Sequence, residues 1–195
     1  MITPLAPSDA LLLVDVQNDF LEGGSLAVPD ANAILPVLNK YLTHFVDRSL
    51  LIIASRDWHP AGHCSFVENG GQWPPHCVAD TAGAAFSASL LLPASSHIVS
   101  KAITADHEAY SGFDGTALTS YLHEQGIKRL FVGGLATDYC VLQTVLDALK
   151  NEFVVILLVD AIRAVDVQSG DGVQAIAKMI ENGAQTAKFS DIEPE

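Results

Sequence analysis

Asp57 and His59 stand two residues apart, and His63 and His76 follow in the same stretch. In extended chain, residues i and i+2 point to the same side, so Asp57 and His59 can face one ion. His76 comes after Trp73-Pro74-Pro75, whose restricted backbone would fix its direction. One carboxylate and two imidazoles suit a first-row divalent ion, Zn²⁺ first, with Fe²⁺ and Mn²⁺ as alternatives and water in the remaining positions. His63 is a further candidate ligand. Any one of these histidines alone would read as an ordinary loop residue. Together with Asp57 they read as a metal site with open positions.

Cys140 is a second centre. The run Phe131-Val132-Gly133-Gly134-Leu135-Ala136-Thr137-Asp138-Tyr139-Cys140 starts apolar, is broken by two glycines, and passes into helical spacing with Val141, Val145, Ala148 and Leu149 on one face. Cys140 is therefore expected in the first turn of a helix that follows a strand. There, unpaired N–H groups and the helix dipole favour a thiolate. A free cysteine is more often a small buried core residue, so its neighbours must decide. Lys101 could supply a cation beside the thiolate, and Asp15 could carry the proton. Cys–Lys–Asp is then a unit for acyl transfer. The turn from Gly134 to Cys140 offers backbone N–H groups for an oxyanion, that of Cys140 included.

These residues need a scaffold that brings them together. Six apolar runs read as strands: Ala10–Asp15, Leu50–Arg56, His97–Lys101, Lys128–Val132, Phe153–Asp160 and Gln185–Phe189. Several are nearly continuous and β-branched, as parallel strands buried on both faces are. Helical patterns lie between them. Ile34, Leu38, Leu42 and Phe45 mark the first, with Pro36 near its start. Leu118, Tyr121 and Leu122 mark the second, stopped by Gly126. The third follows Cys140. Val173, Ile176, Ala177 and Ile180 mark the fourth, stopped by Gly183. The expected architecture is α/β in three layers, a six-stranded and mainly parallel sheet between helices, forming a single domain over residues 1–195.

In such sheets, ligands bind outside the carboxyl ends of the strands. Asp15, Asp57, Lys101 and Cys140 all arrive at that edge. Each alone has a plain explanation, as a turn residue, a cap or a solvated lysine. Their convergence is the signal. The connection from about residue 57 to 96 has no strong helical pattern, holds Trp58, Trp73, His59, His63 and His76, and is expected to be the metal-binding loop region.

Composition narrows the function classes. Hydrophobic residues make up 49% and charged residues 17%, which suits a globular core and not a disordered chain. The net charge of −13 and the lack of a basic cluster argue against nucleic-acid binding. No apolar run reaches the ~20 residues of a membrane span, and the start lacks the pattern of a signal peptide. Three cysteines without a CxxC pair fit a reducing compartment, so a cytoplasmic location is expected.

Asp15-Val16-Gln17-Asn18-Asp19-Phe20 followed by Gly23-Gly24-Ser25-Leu26-Ala27-Val28 resembles the opening of bacterial and archaeal nicotinamidases (pyrazinamidases), members of the isochorismatase-like hydrolase superfamily. The resemblance continues through Ser55-Arg56-Asp57-Trp58-His59-Pro60, Trp73-Pro74-Pro75-His76-Cys77-Val78, Ser100-Lys101-Ala102, Ala109-Tyr110-Ser111-Gly112-Phe113 and Gly134-Leu135-Ala136-Thr137-Asp138-Tyr139-Cys140-Val141. It covers nearly the whole chain in family order. It implies hydrolysis of nicotinamide to nicotinate and ammonia in NAD salvage, through a cysteine thioester. It also implies a catalytic triad of Asp15, Lys101 and Cys140 and metal ligands Asp57, His59 and His76. His63 matches a position that ligates in only some members. The resemblance further implies a ring pocket of Phe20, Leu26, Trp73 and Tyr110, and a cis peptide at Leu135-Ala136, which places Ala136 beside Cys140 as an oxyanion donor. Tyr139 falls where members vary and receives no role. Isochorismatases proper lack the nucleophilic cysteine, so Cys140 points away from that branch. The expected partner is a small-molecule pyridine amide, with no nucleic acid and no membrane, and a homo-oligomer stays open. Two rivals also stay open: an amidohydrolase for carbamoyl compounds, which would lack the metal and ring pocket, and a non-catalytic binding module.

Overall fold

The computed structural model describes residues 4–192. Its centre is β1 (Asp9–Val14), every residue of which is buried. On one side of it lie β2 (Leu51–Asp57) and β3 (His97–Lys101), and on the other β4 (Arg129–Leu135), β5 (Val154–Arg163) and β6 (Gln185–Ala187), in the order β3-β2-β1-β4-β5-β6. All neighbouring pairs are parallel. The expected six strands are all present: β3 has the expected ends, and the ends of the others move by at most three residues, β4 and β5 each running three residues further.

Two cores explain why the strands are apolar throughout. Leu11, Leu13, Phe131, Ile156 and Leu158 pack on one face against α1 (Leu35–Val46). Ala10, Leu12, Val14, Val132 and Leu157 pack on the other against α2 (Leu118–Glu124), α3 (Leu142–Lys150) and α4 (Asp171–Glu181). Alternate residues of one strand thus serve opposite layers. Pro36 falls in the first helical turn, where its missing N–H costs nothing, so α1 begins there without disruption.

The fourth helix differs from its sequence pattern. It buries Gly172, Ala175 and Met179, whereas Val173 and Ile180 are 73% and 48% exposed. Gly172 sits so close to Ala164 that an added Cβ would lie 2.5 Å from the Ala164 Cβ, so small residues set this packing face. Among the described residues no helix is long and apolar enough to cross a membrane.

The chain leaves β1 in one direction along the sheet and returns to its other side with β4. The switch point therefore lies between the carboxyl ends of β1 and β4, where a crevice opens. Gly134 makes this possible. It pairs with Val14, has φ +124°, and an added Cβ would fall 2.1 Å from the Val14 carbonyl oxygen. Gly134→Ala should destabilise the fold by more than about 3 kcal/mol, since both backbone and sterics oppose it. Denaturant unfolding checks this, and an unchanged midpoint would contradict the close approach of β1 and β4.

Candidate active site

The ends of β1 to β4 each lead to one polar group at the crevice. Asp15 follows β1 with φ 51°, a left-handed turn that an L-residue adopts at a cost of order 1 kcal/mol. Its side chain is fully buried, and its Oδ1 accepts a 2.7 Å hydrogen bond from Ser55 Oγ on β2. Asp57 ends β2, and Lys101 ends β3 directly beside it in register. β4 continues through the cis peptide Leu135-Ala136 into a π-helical turn, Thr137–Val141, that carries Cys140. The N–H of Val141 donates to the carbonyl of Ala136 at 3.0 Å, the wide closure of that turn, which is common at functional sites. Cys140 thus precedes the regular helix α3 rather than starting it.

Lys101 joins these groups. Its ammonium lies 2.9 Å from Asp15 Oδ2, 3.5 Å from Cys140 Sγ and 3.1 Å from the Ala109 carbonyl, and it makes a short contact with Asp57 Oδ1. The two aspartates hold Lys101 firmly protonated against its burial. Burial pushes the Cys140 thiol up, and Lys101 pulls the other way. Burial likewise raises Asp15, with Lys101 opposing. Desolvation thus opposes the ready thiolate expected from a helix start, and Lys101 favours it. Asp15 Oδ2 is paired with the Lys101 ammonium, and the carboxylate lies within hydrogen-bonding reach of the thiol.

Asp57, His59 and His76 bring one donor atom each within 4.8 Å of one another. His59 Nδ1 lies 3.3 Å from the Ala102 carbonyl, and His76 Nδ1 lies 2.8 Å from the Pro74 carbonyl. A carbonyl can only accept, so each Nδ1 carries its proton and each Nε2 keeps a lone pair for a ligand. His59 Nε2 is buried without a hydrogen-bond partner, the orphan expected where an ion belongs. Burial lowers the pKa of His76 and favours the neutral ligating form. The donor set fits a divalent ion. His63 lies outside this set: its Nδ1 meets Ser65 Oγ at 2.7 Å and its Nε2 meets the His107 carbonyl at 3.0 Å.

Between thiol and donor set lies a cavity. Its walls are Phe20, Leu26, Val28, Trp73, Tyr110, Tyr139 and Val165, and Asp57, His76, Ala136 and Cys140 reach into it. Trp73 Nε1 donates to Tyr110 Oη at 3.1 Å, and the Trp73 ring meets Tyr139 edge-on at 5.1 Å. Phe20, Leu26, Trp73 and Tyr110 are thus brought together around one apolar space that ends in polar groups.

A family model described as the isochorismatase domain matches residues 9–191. The chain belongs to the isochorismatase family. Within that family it is 37% identical over 208 aligned positions to a nicotinamidase of Escherichia coli strain K12, covering 96% of this chain and 98% of the relative. A pyrazinamidase of Pyrococcus horikoshii in complex with zinc superposes with a TM-score of 0.90 at 46% identity, covering 94% of this chain and all of that one. The structure of PnC1 from L. infantum in complex with nicotinate gives 0.88 at 38% identity, with 97% and 96% covered. The resemblance carried by the sequence motifs to this isochorismatase-like family therefore holds, and so does the expected fold.

Three residues around the site carried no assigned role in the sequence. Tyr139 forms a wall of the cavity, which its place before Cys140 in the chain does not reveal. Gln17 is fully buried and clamps Asp57: its Nε2 donates to the Asp57 carbonyl at 2.8 Å, and its Oε1 accepts the Asp57 N–H at 2.8 Å. Asp19 accepts the Cys77 N–H at 2.7 Å and so fixes the segment that presents His76. The last two lie in the Asp15–Phe20 motif, which was the available signal.

Proposed function

We propose that this chain hydrolyses nicotinamide to nicotinate and ammonia, and pyrazinamide to pyrazinoate, as an amidase of NAD salvage. The observation that carries this reading is a buried thiol, 3.5 Å from a lysine and in reach of an aspartate, opening onto an aromatic cavity with metal-type donors on its rim. Nicotinamidases and pyrazinamidases among its relatives support the substrate class.

In this reading the pyridine ring lies among Phe20, Leu26, Trp73, Tyr110 and Tyr139, with its carboxamide carbon at Cys140. Sγ forms a bond to that carbon while the thiol proton passes to Asp15. The oxyanion is held by the backbone N–H groups of Ala136 and Cys140. Asp15 then hands the proton to the amide nitrogen, the C–N bond breaks, and ammonia leaves a thioester. Water attacks the thioester with its proton moving to Asp15, and nicotinate departs as the thiol is restored. Lys101 stays charged and steadies whichever of Asp15 and Cys140 is anionic. A divalent ion held by Asp57, His59 and His76, Zn²⁺ in first place, would act as a Lewis acid toward a ring nitrogen and orient the ring. Three free cysteines fit a reducing compartment, and the cytoplasm is the proposed site of action.

Ammonia release from nicotinamide and pyrazinamide tests the reading. Turnover of both is expected. No release from either by metal-loaded protein, with release from a carbamoyl compound, would move the reading to the carbamoyl amidases.

A further inference from the structure

Asp57 is asked to serve two cations. Its Oδ1 is taken by the Lys101 ammonium, and its Oδ2, 3.7 Å from His59 Nε2, is what remains for an ion. His59 and His76 bring no charge when they ligate. A buried divalent ion is then left with part of one carboxylate, and buried charge without compensation is strongly unfavourable. A second anion close by would answer this.

Glu108 is in the right place. Its carboxylate and the ring nitrogens of His59 and His63 lie within 4.8 Å of one another, a group that overlaps the first donor set at His59. It follows β3 in a loop that is tied down on both sides of it. The carbonyl of His107 meets His63 Nε2 at 3.0 Å, and the carbonyl of Ala109 accepts from Lys101 at 3.1 Å. His63 in turn stacks on His59 with centroids 4.1 Å apart. Glu108 Oε1 accepts the N–H of Ala109 at 3.1 Å, which holds the carboxylate near the rings.

We propose that Glu108 is a second anionic donor to the ion held by Asp57, His59 and His76, and that His63 acts as the brace that fixes the Glu108 loop rather than as a ligand. This rests on the metal site described under the proposed function.

Chelator competition with Zn²⁺ on the full chain separates the role of Glu108 from the metal site itself. Glu108→Gln keeps an acceptor for the Ala109 N–H and loses the charge. It should weaken Zn²⁺ binding at least tenfold while the unfolding midpoint of the metal-free protein is unchanged. Glu108→Ala should show a loss at least as large. Zn²⁺ affinity within twofold of the unaltered protein in both variants would overturn the role of Glu108. If the unaltered protein binds Zn²⁺, the His59→Ala, His76→Ala double variant does not, and both Glu108 variants bind normally, only the Glu108 claim fails. If the unaltered protein binds no Zn²⁺, the metal site itself fails and this inference with it.

Discussion

Replacing Cys140 by alanine is expected to lower kcat for nicotinamide by about 10⁵-fold, the scale seen when the nucleophile of a catalytic unit is lost. Nicotinamide should still bind, because the ring walls and the donor set do not depend on the sulfur. A ligand-induced rise in the unfolding temperature reads that binding. Cys64→Ala and Cys77→Ala should keep most activity. Cys64 lies in the loop after β2 and Cys77 in the core on the α1 side of the sheet, and neither has Lys101 beside it. The contrast follows from position. Only Cys140 has a cation at 3.5 Å and a carboxylate in reach of its proton. Burial alone would make it the least reactive of thiols, as it does for Cys77, whose thiol is pushed far up by desolvation and nearby aspartates. Substantial turnover in Cys140→Ala would remove the thioester route.

Benzamide should be a far poorer substrate than nicotinamide, by up to ~10⁴ in kcat/KM. The two share a carboxamide and nearly the same shape. They differ in one ring nitrogen. A site whose buried polar groups are set to meet that nitrogen leaves them unmatched when it is replaced by C–H. In the proposed reading the group set to meet that nitrogen is the ion, and His59 Nε2, buried and unpartnered, is one of the atoms that would hold it. Pyrazinamide keeps a nitrogen in the same place and should be turned over. Removing the metal with a chelator should lower nicotinamide hydrolysis and narrow the gap. Comparable kcat/KM for benzamide and nicotinamide in the metal-loaded protein would favour the carbamoyl-amidase reading.

Fold and site were legible in the sequence to different depths. The strands were, because both faces of the sheet are covered and apolar residues run without alternation, as Ala10 to Val14 do. The α4 face was not. Val173 and Ile180 carry the hydrophobic pattern and Gly172 carries the packing, since close approach to Ala164 needs a missing side chain and not an apolar one. Asp57 and His59 could be paired from their spacing on extended chain. The placement of His76 beside them depends on a loop of almost forty residues with one short 3₁₀ turn, Val67–Asn69, so its proline-stiffened approach and the motif resemblance pointed to it while local spacing could not position it. Lys101 bridging two aspartates, and Tyr139 closing the cavity against Trp73, arise from tertiary geometry that local spacing does not encode.

The central claim is that the acyl group passes through Cys140. It is tested most directly by turnover in hydroxylamine, which competes with water for an acyl-enzyme. Nicotinamide and methyl nicotinate lose different leaving groups but should give the same nicotinoyl thioester. The expected result is formation of nicotinohydroxamate and nicotinate in one fixed ratio from both substrates at a given hydroxylamine concentration. Ratios that depend on the leaving group, or nicotinate with no hydroxamate from either substrate, would contradict a shared thioester on Cys140.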